Sequence, residues 1–472
     1  MRILFVAAEA TPLAKVGGLG DVIGSLPKAL NLLGHDVRVI MPRYGIIDVA
    51  KYQVTTVIDN LIVQTMKVSK PVALRLAELP QGIKIYLVDN DDFSNSQEVY
   101  GKNDLQRFFF FCQAVLEILP KLEWQPEIVH CHDWHTALIP WWLKKSNYRY
   151  SSVFTIHNLA YQGSFDSAFL SAFGLKQSWR ERPRGAPEPP LNFMAQGILW
   201  ADVVTTVSET YAKEILTPEY GNGLDAILRY RREKLFGIVN GIDYGEYNPA
   251  TDALIPSNYD ASNLDRKAAN KLALQRQARL PQDAEMPVVG MVSRLDEQKG
   301  LDIIFKGLDA LLTDAQAQLV VLGRGRGKYH KLLKQAAGKY PRQIASFNTF
   351  DDALAHLTYA GSDIYLMPSR FEPCALGQMV AMRYGTVPVV RNTGGLADTV
   401  QNLTPNLSEG NGFVFQDYTA DAMIGALNRA LTAYSTQRGK WHGVMKRIMA
   451  LDFSWQSSAK KYESIYRKAL QA

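Results

Sequence analysis

Two segments in the second half of the sequence carry charged residues in an order that suits a diphosphate and a sugar. In SRLDEQKG (293–300), Arg294 and Lys299 follow an apolar run, and these two cations can hold both sides of a diphosphate, although an ordinary surface loop is equally open. In PSRFEPCALGQ (368–378), Glu372 precedes a predicted helix start. A helix N-terminus attracts phosphate, so a sugar bound by the carboxylate and a diphosphate can lie side by side. The residues of that predicted helix start are Cys374, Ala375, Leu376 and Gly377.

A glycine-rich turn follows the first apolar run of the chain. In KVGGLGDV (15–22), Gly17 and Gly18 lie between a predicted strand and a predicted helix, with Lys15 before them and Asp21 after them. Such a turn exposes backbone N–H groups to a diphosphate, although a purely conformational role for the glycines is equally open. The pattern lacks G-x-G-x-x-G, which disfavours a nucleotide-dependent dehydrogenase. The same glycine device recurs later, at Thr393, Gly394 and Gly395.

The segment HCHDWH (130–135) resembles a metal site at first sight. Strand alternation places His130 and His132 on one face and the intervening cysteine on the other, so these side chains do not converge on a metal. Asp133 and His135 then fit either of two roles: they bind sugar hydroxyls, or they form a helix N-cap with a packed histidine. The sequence predicts no structural metal here.

His157 and Asn158 follow another apolar run, SVFTI, and precede a Tyr-Gln-Gly turn. A single histidine at such a position is more often structural than catalytic, and both alternatives stay open. Separately, Asp89-Asn90-Asp91 formally matches a metal-chelating D-x-D, but without a second group of ligands it is interpreted as a turn. We therefore expect neither a metal nor another cofactor.

Composition narrows the class of protein. The 472 residues carry 52 Lys+Arg against 46 Asp+Glu, dispersed along the chain, which favours nucleic acid less than a small anionic ligand. Three scattered cysteines predict a reducing compartment. No apolar run approaches the roughly 20 residues that span a bilayer, so we expect a cytoplasmic protein that binds neither membrane nor nucleic acid.

Short apolar runs alternate with amphipathic stretches along the whole chain. This rhythm predicts an α/β fold of two doubly wound, Rossmann-like parallel-sheet domains facing across a cleft. A polar segment rich in Asn and Pro from about residue 248 interrupts the rhythm, so we place the domains at 1–247 and 248–452. Loops after the strands of such sheets bind the ligands, and the segments above are loops of this kind.

With these motifs assembled, the chain resembles the bacterial glycogen synthase and plant starch synthase family of retaining glycosyltransferases over nearly its whole length. The matching motifs occur in the family's order: KVGGLGDV, HDWH, HNLAYQG, VNGID, SRL…QKG, PSRFEPC, TGGL and DFSW. The resemblance implies the GT-B architecture, with residues 453–472 forming a helix that packs back on the first domain. It also implies ADP-glucose as the donor, an α-1,4-glucan as the acceptor, and no bound metal.

The resemblance further implies roles for individual residues. Arg294 and Lys299 would bind the donor diphosphate, and Glu372 would contact the glucose. The positions that match the family's glucose pocket and the loop closing over it are Asp133, His157, Asn158, Asn240, Lys15 and Asp21. The candidate catalytic residues are Glu372, His157, Asp133 and Lys15. A covalent intermediate and attack of the acceptor on the same face both stay open, and no residue is assigned as the nucleophile.

The sequence departs from the family at three of these positions. Where the family usually reads E-P-C-G-L-T-Q, this chain has Ala375 for the glycine and Gly377 for the threonine, and Ala195 replaces a frequent lysine. A lost hydroxyl contact weakens binding by about 0.5–1.5 kcal/mol, which predicts weaker donor binding and not loss of activity. The alternative function is a catalytically weakened glucan-binding paralogue of the same fold.

Overall fold

The computed structural model describes residues 1–65, 69–79, 82–146, 148–175, 178–313, 317–325, 327–349 and 351–472. These residues form two compact α/β units. The N-terminal unit comprises Met1–Gly241 together with Trp455–Ala472, and the C-terminal unit comprises Ile242–Ser454. Across the described ranges, no helix combines the length and the apolar composition that crossing a bilayer requires.

The N-terminal unit is built on a sheet to which its described residues contribute nine strands. The strands are β1 (Arg2–Val6), β2 (Asp36–Pro42), β3 (Thr55–Gln64), β4 (Ser69–Glu78), β5 (Lys84–Asp89), β6 (Ile128–His132), β7 (Ser151–Ile156), β8 (Val203–Thr206) and β9 (Leu235–Gly237). Their order is β3-β4-β5-β2-β1-β6-β7-β8-β9, parallel from β5 to β9, with β3 and β4 as an antiparallel extension at one edge. Strands β3 and β4 are absent from the predicted strands; the apolar runs of β3 are only two and three residues long, and most of this strand is exposed.

Helices cover this sheet. They are α1 (Gly18–Leu32), α2 (Asp91–Ser94), α3 (Asp104–Ile118), α4 (Leu138–Lys145), α5 (Ser167–Ala172), α6 (Phe193–Trp200), α7 (Glu209–Glu214) and α8 (Asp225–Tyr230). The central strand β1 is fully buried from Ile3 to Val6, which explains its continuous apolar sequence, since parallel strands are covered on both faces. Helix α1 contributes the buried Val22, Leu26 and Leu30 to the same core.

The C-terminal unit is built on a second sheet, six-stranded within the described residues and parallel throughout. Its strands are β10 (Val288–Val292), β11 (Gln318–Leu322), β12 (Ile344–Phe347), β13 (Ile364–Met367), β14 (Val387–Arg391) and β15 (Phe413–Phe415), in the order β12-β11-β10-β13-β14-β15. Its helices are α9 (Lys267–Gln277), α10 (Leu301–Thr313), α11 (Lys328–Lys339), α12 (Asp352–Gly361), α13 (Gly377–Arg383), α14 (Gly394–Thr399), α15 (Ala420–Thr436) and α16 (Arg438–Met449).

Each sheet reverses its strand order once. In the N-terminal unit the chain runs outward from β1 to β2 on one side and from β6 to β9 on the other. In the C-terminal unit it runs from β10 to β12 on one side and from β13 to β15 on the other. Loops at such a reversal separate and leave a crevice at the carboxyl ends of the two central strands, which is where ligands of these sheets bind.

The division between the units lies at Ile242, earlier in the chain than the predicted boundary at 248. The backbone N–H of Ile242 donates to the carbonyl of Phe453 at 2.8 Å, and the Tyr244 hydroxyl donates to the carbonyl of Leu451 at 3.1 Å. These bonds attach the segment before 248 to the end of the C-terminal unit, although its composition still resembles that of the preceding domain.

The last helix, α17 (Trp455–Ala469), belongs to the N-terminal unit. Its Tyr462 and Tyr466 are buried in that unit's core. The Ser458 hydroxyl donates to the carbonyl of Val239 at 2.7 Å. Helix α17 therefore packs in the same core as the first strands of the chain.

Candidate functional site

In the N-terminal unit, the loop after β1 is organised around the buried carboxylate of Glu9. Glu9 is 2% exposed and accepts hydrogen bonds from the backbone N–H groups of Val16 and, at 3.1 Å, Gly17. The Tyr100 hydroxyl donates to the other carboxylate oxygen at 3.2 Å. Burial raises the pKa of Glu9, and these hydrogen bonds oppose that shift. The Gly17 N–H, which the sequence offers to a diphosphate, is therefore bound to Glu9 in this structure.

Lys15 and Asp21 form an ion pair at the surface of the same loop. Lys15 Nζ lies 2.6 Å from Asp21 Oδ1, and the two side chains are 43% and 27% exposed. Gly18 begins helix α1, and a Cβ placed on it would meet nothing within 4 Å among the described residues. This part of the predicted site is thus open, with the charge of Lys15 balanced by Asp21.

Asp133 occupies an unusual backbone conformation directly after β6. Its φ of 56° and ψ of 179° lie close to a region that residues other than glycine rarely adopt. Its Oδ1 accepts the backbone N–H of His157 at 2.8 Å, and the carboxylate also binds the backbone N–H of Asn158. Burial raises the pKa of Asp133 to about 7, and these two hydrogen bonds lower it. Asp133 therefore fastens the loop after β6 to the loop after β7.

The ring of His157 is held by a second histidine that the sequence analysis did not assign to the site. His157 Nε2 lies 3.0 Å from Nδ1 of His132, the last residue of β6. Burial lowers the pKa of His132 well below its ordinary value and that of His157 to about 3, so both rings are neutral. This contact fixes the orientation of the His157 ring, and both its structural and its catalytic role stay open.

The remaining histidines of this segment are structural. The His130 ring stacks on the His132 ring at 4.1 Å, which confirms that the two share one face of the strand, and its nitrogens bind the hydroxyls of Tyr466 and Thr155. His135 is 6% exposed and packs against Tyr100, which supports the packed-histidine role of the two that the sequence left open. Among the described residues, no three His, Cys, Asp or Glu side chains could hold a metal ion. The expectation of a metal-free site stays a prediction.

Two further sequence candidates lie elsewhere in this unit. Asn240 follows β9 and is 7% exposed, and its Oδ1 is buried without a hydrogen-bond partner in the described part of the chain. The Asp89-Asn90-Asp91 segment is not the predicted turn: Asp89 ends β5 and pairs with Arg75, Asn90 caps helix α2 through the Asp92 N–H, and Asp91 begins that helix.

In the C-terminal unit, the loops after β10 and β13 meet in a buried ion pair. Lys299 Nζ lies 2.6 Å from Glu372 Oε2, and the side chains are 14% and 6% exposed. The Ser369 hydroxyl donates to the same carboxylate oxygen at 3.0 Å. The structure therefore brings together the two residues that the sequence assigns to diphosphate and sugar, at the point where the strand order reverses.

Arg294 lies on the exposed side of the same crevice. Its side chain is 46% exposed, and its guanidinium lies 3.4 Å from Asp296 and 3.3 Å from the side-chain oxygen of Gln298. Gln298 in turn accepts the N–H of Arg370 through its backbone carbonyl at 2.8 Å, which joins the two loops. Arg294 is thus accessible to a phosphate group, whereas Lys299 is largely buried.

The helix start after Glu372 explains the glycine at 377 and leaves the alanine at 375 in a strained conformation. Ala375 has φ of +62°, a left-handed conformation that glycine adopts without strain. A Cβ on Gly377 would lie 2.5 Å from the hydroxyl oxygen of Tyr365, which is fully buried and bonds to the carbonyl of Val292 at 3.0 Å. Tyr365 thus occupies the space that a threonine side chain at 377 would need. Cys374 is 4% exposed, whereas Leu376 is half-buried.

The second glycine segment has a packing role. Thr393, Gly394 and Gly395 are all buried. A Cβ on Gly394 would lie 1.9 Å from the carbonyl oxygen of Glu372, and one on Gly395 would lie 2.2 Å from that of Cys374. These glycines therefore let one loop approach the backbone that carries Glu372, and their contact with a ligand stays a prediction.

Sequence reasoning missed four residues that shape these two sites: Glu9, Tyr100, Tyr365 and Ser369. Glu9 is a carboxylate directly after a buried apolar run, and that position was a usable signal. Tyr100 and Tyr365 act through contacts with residues distant in the sequence, 91 positions away from Glu9 and 73 from Val292 respectively, which no local pattern predicts.

Comparison with known families matches both units. The family described as "Starch synthase catalytic domain" matches residues 2–230, and the family described as "Glycosyl transferases group 1" matches residues 275–441. Together these matches cover most of the N-terminal sheet and the whole C-terminal sheet.

Individual relatives match over the full chain. Glycogen synthases from Moorella thermoacetica and Geotalea daltonii are 47% and 46% identical, over 100% of this chain and 97% and 99% of theirs. The catalytic domain of starch synthase IV from Arabidopsis thaliana has a TM-score of 0.90 and 33% identity, over 100% of this chain and 99% of that one. The predicted GT-B class of two Rossmann-like domains is confirmed. The chain therefore belongs to the glycogen and starch synthase family of glycosyltransferases.

Proposed function

We propose that the chain transfers glucose from ADP-glucose to the non-reducing end of an α-1,4-glucan, with retention of the anomeric configuration. Membership of the family supports a glucosyltransferase of this kind. The starch synthase IV structure carries ADP and acarbose, which supports a nucleotide donor and a glucan acceptor for this chain as well.

The observation that carries the proposal is the Lys299–Glu372 pair at the ends of β10 and β13. Breaking the bond between glucose and diphosphate creates an electron-poor anomeric carbon and an anionic leaving group together. A buried cation stabilises such a leaving group more strongly than one in water. A carboxylate beside it can hold the sugar hydroxyls. In this proposal Lys299 and Arg294 take the diphosphate, and Glu372 takes the glucose.

The N-terminal unit, considered by itself, offers a second set of polar groups. Asp133, His157 and the Lys15–Asp21 pair present neutral or internally balanced groups, which suits a ligand made of hydroxyls. Protein cations on the phosphate side replace the role that a divalent metal plays in other transferases. We therefore propose a reaction without metal or cofactor. The weakened-paralogue alternative has no support from these relatives, and the Tyr365 contact gives Gly377 a packing explanation.

Nucleotide release with glycogen as acceptor tests the donor. We expect ADP release from ADP-glucose, at a rate well above UDP release from UDP-glucose. Release from neither donor would contradict the enzymatic proposal, and preference for UDP-glucose would contradict the donor. Retention is tested by digesting the radiolabelled product with an enzyme specific for α-1,4 linkages. Label that resists this digestion would contradict it.

Chelation tests the expectation of a metal-free reaction. We expect the same turnover after dialysis against EDTA as before it, and no stimulation by added magnesium. Loss of turnover on chelation, restored by a divalent cation, would contradict the proposal.

A further inference from the structure

Two imidazoles face each other at the ends of neighbouring strands β6 and β7. Nδ1 of His132 and Nε2 of His157 are 3.0 Å apart, which is a hydrogen-bond distance. Because burial lowers the pKa of both rings, each carries a single proton. One ring therefore donates and the other accepts, and the choice fixes the tautomer of His157.

The buried face of His132 decides which ring donates. Its Nε2 is buried and has no hydrogen-bond partner among the described residues. The ring lies between Phe5, at 5.0 Å, and His130, at 4.1 Å. If His157 donated to Nδ1 of His132, the proton of His132 would lie on Nε2 as a buried N–H without an acceptor. Orphaned buried donors are rarer than orphaned acceptors.

The opposite arrangement leaves only a lone pair at that buried position. His132 then carries its proton on Nδ1 and donates it to Nε2 of His157. His157 must carry its own proton on Nδ1, because its Nε2 is the acceptor. Nδ1 of His157 has no hydrogen-bond partner among the residues that the structure describes, so its N–H is available to a ligand.

We infer that His132 is a positioning residue that holds His157 in the neutral Nδ1–H tautomer, so that His157 acts as a hydrogen-bond donor to a sugar oxygen and not as a base. This inference rests on the proposed function in one respect, namely that His157 contacts the sugar. Asp133 fixes the backbone of His157 through the 2.8 Å bond to its N–H, while His132 fixes the ring. The backbone and the ring of His157 are thereby both held in place before a ligand binds.

Nitrogen NMR of the imidazoles tests the tautomer without reference to activity. The chain contains eight histidines, so long-range proton–nitrogen spectra of protein labelled in its histidine rings remain simple. The signals of the pair are assigned by their disappearance in His132→Asn and His157→Gln. We expect a protonated Nδ1 and a bare Nε2 on both His132 and His157. A protonated Nε2 on His157 overturns the inference.

Substitutions at His132 test the positioning role. His132→Asn retains a side-chain N–H near the position of Nδ1, whereas His132→Phe keeps a ring of similar bulk without a donor. We expect His132→Asn to keep the Nδ1–H signal of His157 and most of the turnover. We expect His132→Phe to lose that signal and to lower kcat by about 100-fold, the effect of losing one oriented donor.

His130 provides the matched control. It lies on the same strand face, is fully buried, and has both ring nitrogens bound to hydroxyls. We expect His130→Gln to lower thermal stability while the tautomer of His157 stays unchanged. An unchanged kcat in folded His132→Phe overturns the positioning role. Absence of transfer from ADP-glucose by the native chain contradicts the proposed function instead and leaves the NMR result to decide the tautomer.

Discussion

The two units carry their candidate residues at the carboxyl ends of neighbouring parallel strands, after β6 and β7 in one and after β10 and β13 in the other, but differ in their electrostatics. In the N-terminal unit, burial keeps His132 and His157 neutral and raises the pKa of Asp133 to about 7. In the C-terminal unit, Lys299 and Glu372 form a buried ion pair. Parallel strands therefore carry neutral polar groups at their ends in one unit and a buried ion pair in the other. The side chains that follow the strands decide which, and not the fold.

The largest expected effect comes from breaking the ion pair. Lys299→Met leaves the Glu372 carboxylate buried without its partner, which destabilises a protein by about 3–5 kcal/mol. We also expect turnover to fall by roughly 100- to 1,000-fold, because one charge that stabilises the leaving group is removed. Urea unfolding and nucleotide-release kinetics measure the two effects.

A second pair in the chain provides the control for that experiment. Lys461 and Glu209 lie 3.0 Å apart but are 53% and 58% exposed, so Lys461→Met should change stability by no more than about 1 kcal/mol. The double variant Lys299→Met/Glu372→Gln should regain stability without regaining turnover. Equal effects of the buried and exposed substitutions would remove the distinction between these pairs.

The next effect concerns Asp133 in the N-terminal unit and depends on pH. The pKa of Asp133 is raised by burial to about 7, whereas an unfolded chain has a value of about 3.9. Its contribution to stability is therefore fully present below about pH 4 and is lost as the pH rises to about 7. Relative to Asp133→Asn, the native chain should lose up to about 4 kcal/mol over this window. Urea unfolding of both proteins at pH 5, 6, 7 and 8 measures it, and a difference that does not change with pH would contradict the prediction.

A smaller effect separates the two departures from the family pattern at the helix start. Gly377→Ala places a Cβ 2.5 Å from the hydroxyl oxygen of Tyr365. Overpacking of this kind destabilises a protein by about 1–3 kcal/mol. In a Tyr365→Phe background the same substitution should be tolerated better, because the nearest oxygen is gone. A double-mutant cycle of unfolding free energies gives the coupling. Coupling close to zero would show that Tyr365 does not explain Gly377.

The smallest effect has the opposite sign. Ala375 has φ of +62°, so Ala375→Gly should relieve strain and stabilise the protein by about 0.5–1 kcal/mol. Ala381, inside helix α13, is the matched control, because Ala381→Gly should destabilise by about 1 kcal/mol. Thermal unfolding compares the two. A destabilised Ala375→Gly variant would mean that the alanine side chain makes a contact worth more than the strain.

Local patterns in the sequence were sufficient for most of the fold. Buried parallel strands have continuous apolar sequences, so the central strands of both sheets, such as β1 and β10, were predicted. Strands β3 and β4 were not, since much of β3 is exposed and its apolar runs are only two and three residues long. The boundary at 248 was misplaced because backbone bonds between Ile242 and Phe453 join segments that are far apart in the chain.

Residue type and position after a strand identified the candidate residues of the sites, but not which residues they contact. Lys299 and Glu372 were predicted separately, and their pairing depends on the adjacency of β10 and β13. Gly394 and Gly395 were predicted as ligand contacts, which stays a prediction, and their close packing against the Glu372 loop required the tertiary structure. His132 was assigned to a strand face, and its bond to His157 required the register between β6 and β7.

The sequence by itself determined the alternation of strands and helices, the family, and the polar side chains that follow each strand, because these depend on neighbours a few residues apart. Tertiary structure alone decided the charge states, the pairing of Lys299 with Glu372 and the orientation of His157. Those properties depend on burial and on contacts between distant segments, and both arise only when the sheets have assembled.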